Sequence, residues 1–445
     1  MEEAISLALK KGAEFAEITS VKSSRNFIET TDQKIKELSS GSKELNSIRV
    51  LHNGRWGLAY SFEKDLKRLA FEALENAKSS DFSVKLNLQK PVKRKFTTAY
   101  KKNPEDYSLE EKKSNILKLC KKPDNISNLK VIYSDSVIKT NYINSEGSDL
   151  SYEDVTSGVL CWSFAKKGDK IENFFEIERI KGGYEILERA ENCISTAIKK
   201  SIMMLNAITP KGCVTNTVTD QKLGGVLAHE AIGHACEADL VLSNASLLHG
   251  KLGKTIGNKL VNITDNGSLP KAWGYVPFDS EGIPGSRTAL VENGVLKRYL
   301  HNRETASLTN SKPTGNGRAM NPAAKAIVRM TNTYFENGDS TFDEILNETK
   351  NGYYLKGSAG GQVDPASGEF LFNATEGYEI NNGEIGRMLK GASLTGNIMQ
   401  TLHNIKLIAN DMSLGTGFCG KGGQYVPVGD GAPHILIEKA RVGGV

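Results

Sequence analysis

Cysteine is scarce and unpaired in this 445-residue chain: Cys120, Cys161, Cys193, Cys213, Cys236 and Cys419 stand apart, with no CxxC spacing. That pattern excludes a disulfide framework or a four-cysteine zinc ribbon and suits thiols kept reduced. Long apolar runs are missing too, and none approaches the roughly 20 residues of a membrane-spanning helix. The amino terminus, MEEAISLALKKGAEFAEI, places two acids before its apolar part and its lysines after it, the reverse of a secretory signal. A cytoplasmic location away from membranes is the expectation. Neither sign of charge dominates: a net +5 over this length is a weak pull toward polyanions, and no compact basic helix with interleaved aromatics is present. A nucleic-acid partner is therefore not expected. The glycine-rich stretches GKGGQ (420–424) and GSAGG (357–361) lack the G-x-x-x-x-G-K-[ST] pattern, which argues against a phosphate loop.

What is present reads as an ordinary globular chain of two units, each large enough for its own core. Ala4, Ile5, Ala8 and Leu9 mark one face of a first helix, and strand-like text fills 14–62, with Asn53-Gly54 as a hairpin turn. Leu66, Leu69, Ala70, Ala73, Leu74 and Ala77 predict a second helix. Ser108 and Glu111 form an S-x-x-E capping box for a third. Strand-like text returns over 128–180, and Leu187, Ala190, Ile194, Ala197 and Ile198 predict a fourth helix. This order, helix–strands–helix twice, suggests an internal duplication. The polar stretch 79–106 reads as an exposed connection. Past Pro210 glycine becomes frequent and Asn-Gly pairs recur, so the fold class is α+β: an N-terminal α/β-sheet unit (1–207), with a scaffolding or substrate-wall role, and a β-rich C-terminal unit (208–445) built round one central helix, 221–240.

That helix carries HEAIGH, at 229–234. Successive residues of an α-helix turn by about 100°, so His229 and His234, five apart, would diverge by about 140°. They reach one ion only if the helix widens into a π-turn, a distortion that clusters at functional sites and that Gly233, without a Cβ, makes cheaper. Zinc takes imidazole and thiolate ligands, and a catalytic site keeps three protein ligands and an open position. Spacing leaves the third ligand open among Cys236, Asp239, His249, His301, His403, Cys419 and His434. Cys419, in GTGFCGKGGQ, has glycines on both sides that would let a turn approach the ion. Glu230, beside a ligand, is placed to take a proton from an activated water and pass it to the leaving amine, the chemistry of amide hydrolysis without an acyl-enzyme. By composition an HExxxH match arises by chance in on the order of one chain in a hundred, so the six residues alone decide little. Their apolar setting decides more, because two unpaired imidazoles and a carboxylate are costly to bury. A blue-copper reading fails for want of an axial methionine and of any use for the acid.

Longer segments are more specific. HEAIGHACEAD (229–239), GIPGSRTALVENGVLKRYLHNRETA (282–306), RMTNTYFENGD (329–339), GGQVDPASGEFLFNATEGYEI (360–380) and GFCGKGGQYVPVGDGAPHILI (417–437), with GAEFAEI and IRVLHNGRWGLAYS in the first half, resemble the TldD/PmbA family of metallopeptidases, and specifically its TldD half. The resemblance covers nearly the whole chain. It implies a zinc peptidase whose metal is held by His229, His234 and Cys419, with Glu230 as catalytic base. It also implies a partner, a PmbA-like (TldE) paralogous subunit or a second copy, enclosing a site that degrades unfolded peptides. A non-catalytic subunit of such a complex is the alternative. One departure from the family, Lys356-Gly357-Ser358-Ala359, puts substrate contacts there in question.

Overall fold

In a computed structural model that describes residues 1–79 and 83–444, the N-terminal unit is built on one seven-stranded sheet. Its strands are β1 (Phe15–Thr31), β2 (Lys34–His52), β3 (Arg55–Ser61), β4 (Lys93–Thr97), β5 (Ile126–Asn144), β6 (Asp149–Lys167) and β7 (Lys170–Lys181). They lie in the order β3-β2-β1-β5-β6-β4, with β7 also paired to β6. Four helices accompany them: α1 (Glu2–Lys10), α2 (Leu66–Lys78), α3 (Leu109–Leu119) and α4 (Leu187–Met204). The two halves, α1-β1-β2-β3-α2 and α3-β5-β6-β7-α4, meet where β1 runs antiparallel to β5.

Strand periodicity explains the layering. Ile18 and Ile28 on β1 share a parity and therefore a face. Ile18 packs with Ala4, Ala8, Leu69 and Ala73 of α1 and α2, and Ile28 with Ile116, Ala190 and Ile194 of α3 and α4. All four helices thus cover one face, leaving the odd-numbered residues of β1 on the other. Two local expectations are adjusted and a third holds. Leu9 is on the exposed side of α1. Within 79–106, β4 pairs parallel with β6 and Val84 is buried, so only part of that stretch is exposed connection; residues 80–82 lie outside the described residues. Ser108 caps α3 in a reciprocal box with Glu111, as its spacing predicts.

The C-terminal unit stacks two sheets on either side of a buried helix. A nine-stranded sheet contains β8 (Cys213–Thr219) between strands Ile435–Gly444 and Gly352–Lys356. A seven-stranded sheet includes strands Ile263–Asn266, Asn332–Phe335 and Gln424–Ala432, the last also carrying strand Gly417–Lys421 as a hairpin partner. Between them runs α5 (Gln221–Leu227), capped by the Asp220 carboxylate, which accepts from Leu223 N at 2.9 Å. Leu223, Leu227, Ala231 and Ile232 are fully buried against residues of both sheets, among them Phe335, Phe372, Val426 and Ile435. Among the described residues no helix is long and apolar enough to cross a membrane.

Candidate metal centre

Beyond α5 the helix does not stay regular. Ala228–Gly233 is a π-helical turn, followed by a tight turn at His234–Cys236 and by extended backbone at Glu237, after which a short helix, Ala238–Leu242, resumes. The widened turn brings residues five apart over one another, and the His229 and His234 rings meet edge to face with centroids 5.1 Å apart. Gly233 has ordinary right-handed dihedrals (φ −55°, ψ −59°), so its role is packing: a Cβ there would lie 1.9 Å from Met330 Sδ. Gly225 is likewise pressed on the backbone of Asp430 and Gly431, at 2.8 Å and 2.6 Å from a hypothetical Cβ, which fixes the helix against strand Gln424–Ala432.

Cys419 belongs to that strand's hairpin partner and sits opposite Val426. It is mid-strand; the turn belongs to Gly422 and Gly423, both at positive φ. Cys419 Sγ lies 3.2 Å from His234 Nε2, and one donor atom each from His229, His234 and Cys419 falls within 4.8 Å of the others. The other candidates are engaged elsewhere. Cys236 is buried in the apolar core, His249 Nδ1 contacts Val241 O at 2.9 Å, His301 Nδ1 contacts Thr305 Oγ1 at 3.2 Å, and His434 lies between Tyr354 and Asp411. His403 is exposed at the end of its helix, and Asp239 is bonded to Lys421. Lys356–Ala359 leads off its strand beside the start of α5, where Gly357 N donates to Asp220.

Electrostatics set the state of this cluster. Burial alone pushes the Cys419 thiol upward, but the two imidazoles outweigh it and bring it down to about 5. Burial pushes His229 and His234 downward; the Cys419 sulfur more than restores the first, and the Glu237 charge together with Cys419 holds the second well above its ordinary value. Each partner thus favours the charged form of the other, the imidazoles drawing the sulfur toward thiolate and the sulfur drawing the rings toward imidazolium. His229 Nδ1 is buried with no hydrogen-bond partner among the described residues. Glu230, with its side chain 26% exposed, presents Oε2 4.0 Å from His234 Nε2.

Sequence reasoning missed the supports. Glu237, fully buried, takes His234 Nδ1 at 3.0 Å and Lys421 Nζ at 3.0 Å, while Lys421 also reaches Asp239 at 2.7 Å and Val328 O at 3.1 Å. Arg329 donates to Cys419 O, and Arg318 donates to Met330 O at 2.6 Å and Pro427 O at 2.8 Å. Glu237 sits within the quoted HEAIGHACEAD segment, three residues past a histidine, which is one helical turn and was the available signal.

Comparison with known proteins places this chain in a family. Residues 212–444 match the PmbA/TldA metallopeptidase C-terminal domain, 102–205 its central domain and 16–77 its domain 1. The chain belongs to this PmbA/TldD family of metallopeptidases. Among relatives, a metalloprotease of Methanothermobacter thermautotrophicus is 38% identical, over 99% of this chain and 98% of its own. A zinc metalloprotease TldD homolog of Saccharolobus solfataricus is 30% identical, over 99% of both. Of solved structures, a candidate modulator of a DNA gyrase from Thermotoga maritima superposes with TM-score 0.83 at 25% identity, covering 99% of this chain and 98% of its own. TldE from Thermococcus kodakarensis gives 0.80 at 20% identity, over all of both chains, a likeness of fold. The protein is a TldD-like metallopeptidase.

Proposed function

We propose that this chain is a zinc-dependent peptidase that hydrolyses peptide bonds in extended, unfolded peptides, with His229, His234 and Cys419 as metal ligands and Glu230 as general base. The observation that carries the reading is the convergence of two imidazoles and a thiolate within 4.8 Å beside a partly exposed carboxylate. The donor set fits zinc: two nitrogens and one sulfur leave one position of a tetrahedron free. His234 also has the habit of a ligand, its far nitrogen held by a buried carboxylate that fixes tautomer and ring angle. When bound, the ion supplies Lewis acidity toward a scissile carbonyl and an attacking water. Glu230 takes the proton of that water and delivers it to the leaving amine. Glu237 keeps His234 oriented, and His234 together with Lys421 outweighs burial and favours the ionised form of Glu237.

The unit 1–207 forms a wall over the unit 208–445, and a TldE-like paralogous subunit or a second copy closes the site, so that access, more than sequence, selects substrates. The cytoplasm suits the unpaired cysteines. Elemental analysis and cleavage of an unfolded peptide by wild type and Glu230→Gln test the reading. Stoichiometric zinc in both with activity lost in the variant is the expected result. No zinc in either favours the second reading, a non-catalytic subunit of a TldD/PmbA-type complex. Equal cleavage rates for a folded protein and its denatured form would overturn the proposed selection by access.

A further inference from the structure

The face of the N-terminal sheet that no helix covers lies over the C-terminal unit and closes a cavity of about 490 Å³, within the roughly 300–1,000 Å³ range of ligand sites. Its ceiling is made by Val21, Leu45, Ile138 and their neighbours on β1, β2 and β5; its floor by loop Tyr275–Ser280, the stretch Arg318–Ala326 and Pro427. Pro427 is next in sequence to Val426, the partner of Cys419, and alternation along the strand turns it to the opposite side of the hairpin. The cavity and the donor cluster are therefore separated by the thickness of that hairpin.

Charges lining the cavity do not cancel locally. Its carboxylates are already satisfied: Glu17 by Arg49 at 2.6 Å, Asp154 by Lys181 at 2.7 Å, and Asp279 by backbone N–H groups of Glu281, Ile283 and Gly317. Three cations on the walls take part in no ion pair among the described residues: Arg25 and Lys43, exposed at the rim, and Arg318, 7% exposed on the floor. Arg318 spends two of its five N–H donors on carbonyls, which carry no full charge, and the neighbouring Asp265 and Asp279 carboxylates attract it from a distance, so among the described residues its buried guanidinium lines the cavity with no anion in ion-pair contact. Walls that mix apolar with polar side chains, and cations outside any ion pair at floor and rim, match a ligand that has aliphatic side chains and ends in a carboxylate.

Resting on the peptidase reading for the ligand's class, we propose that this cavity is a second peptide-binding site, which holds the C-terminal carboxylate and the last apolar side chains of a short peptide. Arg318 meets the carboxylate, Arg25 and Lys43 draw it in, and Val21, Leu45 and Ile138 cover the side chains.

The test uses the Glu230→Gln full-length chain, so that binding is read without turnover. An N-terminally fluorescent Ala-Leu-Leu tripeptide, with a free carboxylate or as its carboxamide, is titrated by anisotropy with the metal present and after chelation. The carboxylate is expected to bind about tenfold more tightly than the amide, with or without metal, because the bond to an ionised acceptor is the stronger kind. Arg25→Glu with Lys43→Glu should reduce that preference, Arg318→Gln should erase it, and Val21→Trp, which fills the cavity, should abolish binding of both. Equal affinity for acid and amide overturns the proposal; so does binding that survives Val21→Trp or disappears on chelation, since the probe would then sit at the donor cluster. Absence of zinc or of hydrolysis leaves these outcomes readable, so failure of the peptidase reading is told apart from failure of this one.

Discussion

Replacing Lys421 by methionine removes a charged side chain that ties the sulfur-bearing hairpin to the histidine-bearing turn. Its ammonium contacts Glu237, which is fully buried, and Asp239, whose side chain is 31% exposed. The exposed partner is screened by water and contributes little on loss. The buried one is different, because breaking a buried pair by deleting one member strands a charge, at a cost of about 3–5 kcal/mol. His234 still faces Glu237 at 3.0 Å and offsets part of that, so about 2–4 kcal/mol of stability is the expected loss. Positioning of His234 degrades with it, and zinc affinity should fall about 10- to 100-fold, as for other supports of metal-bound histidine. Urea denaturation of the metal-free chain reads the first quantity and competition with a chromophoric chelator the second. A double variant with Glu237→Gln separates the pair from its surroundings: the two changes together should cost at least about 1 kcal/mol less than their sum. Stability within about 0.5 kcal/mol of wild type for Lys421→Met, the range of an ordinary surface substitution, would refute the reasoning.

Gly233→Ala puts a Cβ 1.9 Å from Met330 Sδ, and the forced repacking should cost about 1–3 kcal/mol in denaturation, with less than additive loss when combined with Met330→Ala; additive losses would mean that the two do not meet. Zinc affinity should depend on pH with a definite sign. His229 and His234 are held above their ordinary values, and Cys419 is brought down to about 5, so the rings compete with the ion for protons at higher pH than the sulfur does. Affinity therefore falls as pH falls, more steeply below about 5. A chelator competition that gives one affinity from acid to neutral pH would contradict this charge assignment.

Sequence alone disclosed what depends on neighbours along the chain. The spacing of Leu69, Ala70, Ala73, Leu74 and Ala77 is that of α2, and all five are buried. Asn53-Gly54 takes positive φ at both residues in the β2–β3 hairpin. The five-residue interval of the histidines carried its own demand for a widened turn. Elsewhere local text was silent. The β1–β2 turn uses Asp32 and Gln33 at φ 48° and 62°, residues without glycine's freedom, and is pinned from outside where Leu129 N donates to Asp32 Oδ1 at 2.9 Å. β4 has little apolar alternation because it is an edge strand with exposed side chains. The bond from Lys421 to Glu237 spans 184 positions, and no periodicity in either segment reports it. The flanking glycines of Cys419 suggested a turn; the residue is in the strand, and the approach to the rings comes from packing of Gly225 on the hairpin's other arm.

That packing implies that metal binding and hairpin docking are linked. Strand Gly417–Lys421 has Gln424–Ala432 as its strand partner, and side chains hold its carbonyls: Trp273 Nε1 at Gly417 O, 3.0 Å, and Arg329 at Cys419 O. α5, by contrast, is enclosed by both sheets. Opening the hairpin should therefore require less of the fold than opening the helix. A ligand bound by both parts stabilises them against any opening that separates them, by RT ln(1 + [L]/Kd), or about 2.7 kcal/mol at 100 times Kd. Amide exchange at Gly417–Lys421 should then slow about 100-fold on zinc addition, α5 should change much less, and Cys419→Ser should cancel the difference. Uniform slowing across both elements would mean that the hairpin opens only with the whole domain, and the donors would then belong to one rigid body that zinc does not need to assemble.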